Sequence, residues 1–263
     1  MSTPQGPWSP APPRPDHRAI SPWALGLLAL WIGAGAAMGL IERPPGLLTF
    51  LFVISGWILA VVAHEFGHAF VAYQGGDWTV EAKGYLTLNP LKYTNLATSI
   101  LLPVIVLALG GIGFPGGAVY LRQDLMRGPL WRSAASLAGP FGTLLVLLLL
   151  AGVLAILRSA DPGSAVIPAV AFLAFLQATA LVLNLMPIPG LDGWGVIRPL
   201  LPASIALALA PLERLAILIL IGLILLVPQA SILLFGAAFA ISEMLGVSRD
   251  LIIEGLRAFQ FWK

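Results

Sequence analysis

Six runs of apolar residues dominate this chain, at about 22–41, 47–74, 133–157, 166–187, 212–228 and 230–247. Each is close to the roughly 20 residues that a helix needs to cross the hydrocarbon core of a bilayer. A backbone in lipid finds no water to bond, so it must satisfy its own N–H and C=O groups. Runs of this length do so as helices. Composition agrees: 59% of the 263 residues are hydrophobic and 10% are charged, against about a quarter charged in an ordinary globular domain. The expected fold class is an all-α polytopic membrane protein with about six transmembrane helices. A formal net charge of +2 makes no case for a nucleic-acid partner. With no cysteine in the chain, disulfides and thiolate metal sites are excluded, and any metal must be held by nitrogen and oxygen.

Residues 1–20 are polar and rich in proline, which predicts a disordered cytoplasmic tail. Reading Trp23 to Leu40 as the apolar region of a signal peptide is disfavoured, because no small-residue cleavage pattern follows Leu40. Residues 21–247 are expected to form one membrane-embedded domain with its core at 47–195, and 248–263 a second cytoplasmic tail. The stretch 98–120 is apolar but interrupted by GGIGFPGG. If it does not cross and the N-terminus is cytoplasmic, 12 of the 14 Lys+Arg lie inside, and only Arg43 and Arg158 lie outside. If it crosses once, the split becomes five inside and nine outside. Cytoplasmic loops carry the excess of Lys and Arg, so 98–120 is read as re-entrant or interfacial, with both termini cytoplasmic. The residues TVEAKGYLTLN (79–89) predict a short β-hairpin turning near Lys83-Gly84.

Inside the second apolar run stands HEFGH, residues 64–68. Ionisable groups at such a depth are expensive and need partners. On a helix, His64 and His68 are four residues apart and share a face, so they can grip one ion. Glu65 sits about 100° further round, where it can take a proton from a metal-bound water without being a ligand. The bland alternative is a coincidental set of core polar residues. A catalytic zinc needs a third protein ligand. NLMPIPGLDG (184–193) offers Asp192, just past a helix that Pro187 and Pro189 end. Glu243, within the apolar AISEML, is the rival. In the favoured topology, run 166–187 is parallel to run 47–74, which brings Asp192 to the depth of the histidines. Depth alone does not exclude Glu243.

Three blocks in order, HEFGH (64–68), SLAGPFG (136–142) and NLMPIPGLDG (184–193), resemble the signature segments of the site-2 protease family of intramembrane zinc metalloproteases. The stretch GYLTLNPLKYTN (84–95) resembles the segment after the zinc helix in many bacterial members. The resemblance implies one zinc ion per chain on His64, His68 and Asp192, and Glu65 as the catalytic base. It implies that Asn184 positions substrate or a developing oxyanion; an interhelical hydrogen bond is its bland alternative. It further implies a bacterial cell-membrane enzyme that cuts transmembrane or membrane-adjacent segments of other proteins. Gly190 departs from the family pattern, which often has proline there, and no insertion of PDZ size or C-terminal regulatory domain is expected. The competing readings are a non-catalytic membrane adaptor, a membrane zinc protease that uses Glu243, and, more weakly, a metal transporter.

Overall fold

The computed structural model describes residues 20–93 and 119–263. Among them the regular structure is helical: α1 (Pro22–Leu40), α2 (Gly46–Gly75), α3 (Thr79–Ala82), α4 (Pro129–Ala160), α5 (Val166–Leu185), α6 (Asp192–Ile197), a 3-10 turn (Arg198–Leu200), α7 (Ala203–Leu226), α8 (Pro228–Met244) and α9 (Arg249–Phe259). Local chemistry sets the ends. The Ser21 side chain accepts the Trp23 N–H at 3.2 Å, and Pro22 opens α1. Gly76, at φ 117°, closes α2 in the left-handed conformation that favours glycine. α5 stops at Met186, which is extended as the residue before a proline should be.

Helices α1, α2, α4 and α5 are long and apolar enough to cross a membrane, and α8 with α9 makes a fifth candidate, bent by 114°. The centre of the bundle is α5, with 94% of its span buried. Its side chains pack on α2 and α4 through Phe52, Val53, Leu147 and Leu150. Trp31 of α1 stacks on Phe52 of α2, ring centroids 5.2 Å apart.

The contacts define two ends of this bundle. Ser21 N–H donates to the Thr87 carbonyl at 3.0 Å, and Arg127 N–H to that of Gly75 at 2.9 Å. The start of α1, the end of α2 and the start of α4 therefore share one end, which also holds the histidines. At the other end, Arg158 of α4 donates to the Gly246 carbonyl at 3.1 Å. There Phe259 of α9 stacks on Phe50 of α2 at 5.2 Å and packs on Phe172 of α5 at 5.5 Å. Helix α8 links the two ends: Leu234 clusters with Leu183 near the end of α5, while Phe239 lies 4.5 Å from Phe175, two turns back along α5.

Four expectations change. The 79–89 hairpin is replaced by the helical turn α3, because Asp77 accepts both the backbone N–H and the hydroxyl of Thr79, at 3.0 and 2.6 Å, and starts a turn. All but the last two residues of run 212–228 fall within α7, which leaves the 3-10 turn at the histidine end and hands the chain to α8 at that same end. Residues 248–263 accordingly lie at the end opposite Ser21 rather than beside it. They form no loose tail: α9 packs so closely that a Cβ on Gly255 would stand 2.0 Å from the Pro168 carbonyl. The tail 1–19 and nearly all of 98–120 lie outside the described residues.

Candidate metal centre

His64 and His68 project from α2 toward α4, and the glycines of the HEFGH and SLAGPFG segments let those helices touch. A Cβ at Gly67 would come within 2.4 Å of the Ala138 carbonyl oxygen, and one at Gly142 within 2.8 Å of that of Ala63. Gly139 faces the histidines directly. A Cβ there would stand 2.2 Å from His68 Nε2 and 2.7 Å from His64 Nε2. The missing side chain leaves a space in front of both nitrogens.

Hydrogen bonds on the far sides of the rings fix their orientation. His68 Nδ1 lies 2.7 Å from the Ala135 carbonyl oxygen. A carbonyl only accepts, so Nδ1 carries the proton and Nε2 presents a lone pair when the ring is neutral. His64 Nδ1 lies 2.9 Å from the buried Thr143 hydroxyl. Both partners belong to α4, one on each side of Gly139.

Asp192 arrives from the other side. After α5 the chain passes Pro187 and Pro189 and turns at Gly190, with φ 94°; Asp192 is then the first residue of α6. Gly193 permits the return, since a Cβ there would lie 2.3 Å from the Leu185 carbonyl oxygen. One Asp192 oxygen is 3.1 Å from His64 Nε2, the other is 3.3 Å from His68 Nε2, and the two nitrogens are 3.1 Å apart. Tetrahedral zinc with bonds of 2.0–2.1 Å would have ligand–ligand edges of about 3.3–3.4 Å. The three groups therefore fit such an ion, and they are the one cluster of metal-binding type among the described residues.

Glu65 lies beside them, 3% exposed, and its carboxylate accepts the Val119 N–H at 3.1 Å. Residues 119–127 are strapped to the end of α2. Arg122 N–H donates to the buried Asp77 carboxylate at 2.7 Å, and Lys83 to the Tyr120 carbonyl at 2.6 Å. Under the strap, burial pushes the Tyr93 hydroxyl pKa up, so the hydroxyl stays protonated and donates to the Tyr85 carbonyl at 2.8 Å. Asn184 is buried on the last turn of α5. Glu243 is at the far end of the bundle, half exposed, and 3.6 Å from Arg249. It is remote from the histidines.

Thr143, the Ala135 carbonyl and the Val119 N–H were not singled out in the sequence. For Thr143 a signal existed, since it directly follows SLAGPFG. The other two are backbone groups, whose partners no sequence pattern names.

No family model matches the chain, and no solved structure matches it. Curated relatives do. It is 44% identical over 256 residues to "Putative zinc metalloprotease Rip2" of Mycolicibacterium smegmatis, covering 95% of this chain and 97% of that one. The protein of the same name from Mycobacterium tuberculosis H37Rv is 43% identical over 92% of this chain and 94% of its own. The chain belongs to the site-2 protease family. "Putative zinc metalloprotease YwhC" of Bacillus subtilis is a more distant relative, 28% identical over 80% of this chain and 92% of its own. The 256-residue match leaves too few of the 263 residues unmatched to miss the stretch from His64 to Asp192.

Proposed function

We propose that the protein is an intramembrane zinc endopeptidase that cuts peptide bonds in or near transmembrane segments of other membrane proteins. The observation that carries this reading is the convergence of two imidazole nitrogens and one carboxylate at tetrahedral spacing, with a second buried carboxylate alongside. His64, His68 and Asp192 would hold one zinc ion. When bound, that ion acidifies water and polarises a peptide carbonyl. Glu65 takes a proton from the attacking water and delivers it to the leaving amine; its bond from Val119 holds the carboxylate in place for both transfers. Asn184, at the same end of α5, is assigned to hold the unwound substrate. Unwinding is required because a substrate helix hides its peptide groups in internal hydrogen bonds. The intact Glu65 favours an enzyme over a non-catalytic adaptor, which needs no base.

The proposed membrane arrangement has five crossings, α1, α2, α4, α5 and α8, in a bacterial cell membrane. At 1.5 Å per residue, His64 lies about 27 Å along α2 from Gly46, toward the far side of a core about 30 Å thick. By chain position five of the 14 Lys+Arg belong to the α9 end: Arg43, Arg158, Arg249, Arg257 and Lys263. The remaining nine belong to the histidine end, which is therefore assigned to the cytoplasm. Exposed Trp78 and Tyr120 at one end and Phe261 and Trp262 at the other suit the two interfaces. The chain lacks cysteine, so single cysteines test this cleanly. One at Lys92 should label from the cytoplasm and one at Arg257 from outside; labelling of both from one side would contradict five crossings.

Activity is tested by comparing membrane-protein fragments in cells that carry wild type or Glu65→Gln. Fragments that appear only with wild type support the reading and name the substrate. Identical fragment sets with equal amounts of both proteins would sink it.

A further inference from the structure

The third proposed ligand stands on a helix that cannot hold itself. Helix α6 is six residues long, far below the length at which a helix persists alone. Its position must come from outside contacts. On one side α4 supplies them: the Ser133 hydroxyl donates to the Val196 carbonyl at 2.6 Å, and Gly195 faces Ser136, whose Oγ a Cβ would meet at 2.6 Å. On the other side stands Glu213, the one carboxylate of the largely apolar α7, next to Arg214 in sequence. Its Oε1 accepts the indole N–H of Trp194 at 2.8 Å and lies 3.1 Å from Nε of Arg198. Trp194 is two residues from Asp192 and 5% exposed; Arg198 opens the 3-10 turn that continues α6. A single carboxylate oxygen thus ties both parts of the segment that carries Asp192 to α7. An ionisable residue in an apolar helix is costly and needs a purpose, and here the partners are visible.

We propose that Glu213 is a positioning residue: it latches α6 to α7 and so holds Asp192 at the metal. The proposal rests on the zinc reading above. The Trp194 bond is the essential one, because it is nearest to Asp192 and its donor residue is buried; the Arg198 contact is secondary, because its Nε is close to the carboxylate without making a hydrogen bond. Losing the indole partner should loosen α6 and raise the rate at which metal leaves, since loss of groups that orient ligands costs about 10- to 100-fold in metal affinity elsewhere.

The test measures zinc release to excess chelator from purified full-length wild type, Glu213→Ala, Glu213→Gln and Trp194→Phe. Glu213→Ala should release zinc at least about tenfold faster than wild type. Glu213→Gln keeps an acceptor for the indole and should recover most of the difference. Trp194→Phe keeps the ring but removes the donor, and should release zinc like Glu213→Ala; it carries the test if Glu213→Ala aggregates. Release at the wild-type rate from Trp194→Phe, or from a folded Glu213→Ala, overturns the latch. So does a Glu213→Gln that behaves as Glu213→Ala. A folded wild type that takes up no zinc is a different failure: it overturns the metal reading and the latch with it.

Discussion

The two sides of the metal centre are built on opposite principles. His64 and His68 come from the interior of α2, a 30-residue helix about 45 Å long, which touches α4 closely at Gly67 and Gly142. Their far nitrogens are pinned by Thr143 and the Ala135 carbonyl. Asp192 comes from six residues that follow a proline-broken helix end and depend on Ser133 and Glu213 for position. The rigid side presents two imidazole Nε2 atoms, 3.1 Å apart, in fixed positions. The tethered side supplies the charge that turns a pair of imidazoles into a site for a divalent ion. Occupancy should therefore be governed from the tethered side, and ligand geometry from the rigid one.

The rigid side fails outright if its space is filled. Gly139→Ala adds a methyl group where the structure leaves 2.2 Å to His68 Nε2. Alanine is the better helix former, so α4 should persist while the purified protein loses nearly all zinc and all cleavage. Full zinc in that variant would show that the histidines do not face the space in front of Gly139. A smaller effect is expected at Thr143→Val, which removes the hydroxyl beside His64 Nδ1 but keeps the shape. The ring stays in place and its orientation loosens, so zinc affinity should fall by about 10-fold. Titration with a competing chelator reads it, and an unchanged affinity would mean that packing alone orients His64.

The same contrast separates what was legible in the sequence from what was not. The helices of the rigid side follow from long apolar runs, and the pairing of His64 with His68 follows from helical periodicity. The close contact of α2 with α4 was written in Gly67, Gly139 and Gly142, although only a resemblance drew notice to the last two. Asp192 was legible as the favoured third ligand because prolines and glycines announce a turn, with Glu243 kept as a rival that depth alone did not exclude. Three-dimensional contacts separate them further, since Glu243 pairs with Arg249 at the other end. The path of α7 was hidden because hydropathy reports length and not direction: most of the stretches 200–211 and 212–228 merge into one helix, Ala203–Leu226, that starts and ends at the histidine end of the bundle. With that element read as a crossing, the C-terminus is expected at the histidine end, whereas α9 packs at the other end of the bundle. The hairpin expected at 79–89 does not form because a turn signal at Lys83-Gly84 is weaker than the local side-chain bonds that Asp77 accepts from Thr79.

The central claim is that a tethered carboxylate completes a metal site begun by two fixed histidines. Zinc content of purified Asp192→Ala and Glu243→Ala, measured beside wild type, tests it most directly. Two imidazoles on one helix hold zinc weakly, so Asp192→Ala should lose most of its metal, while Glu243→Ala should keep about one zinc per chain, as wild type does. Full zinc in Asp192→Ala together with loss in Glu243→Ala would contradict the account.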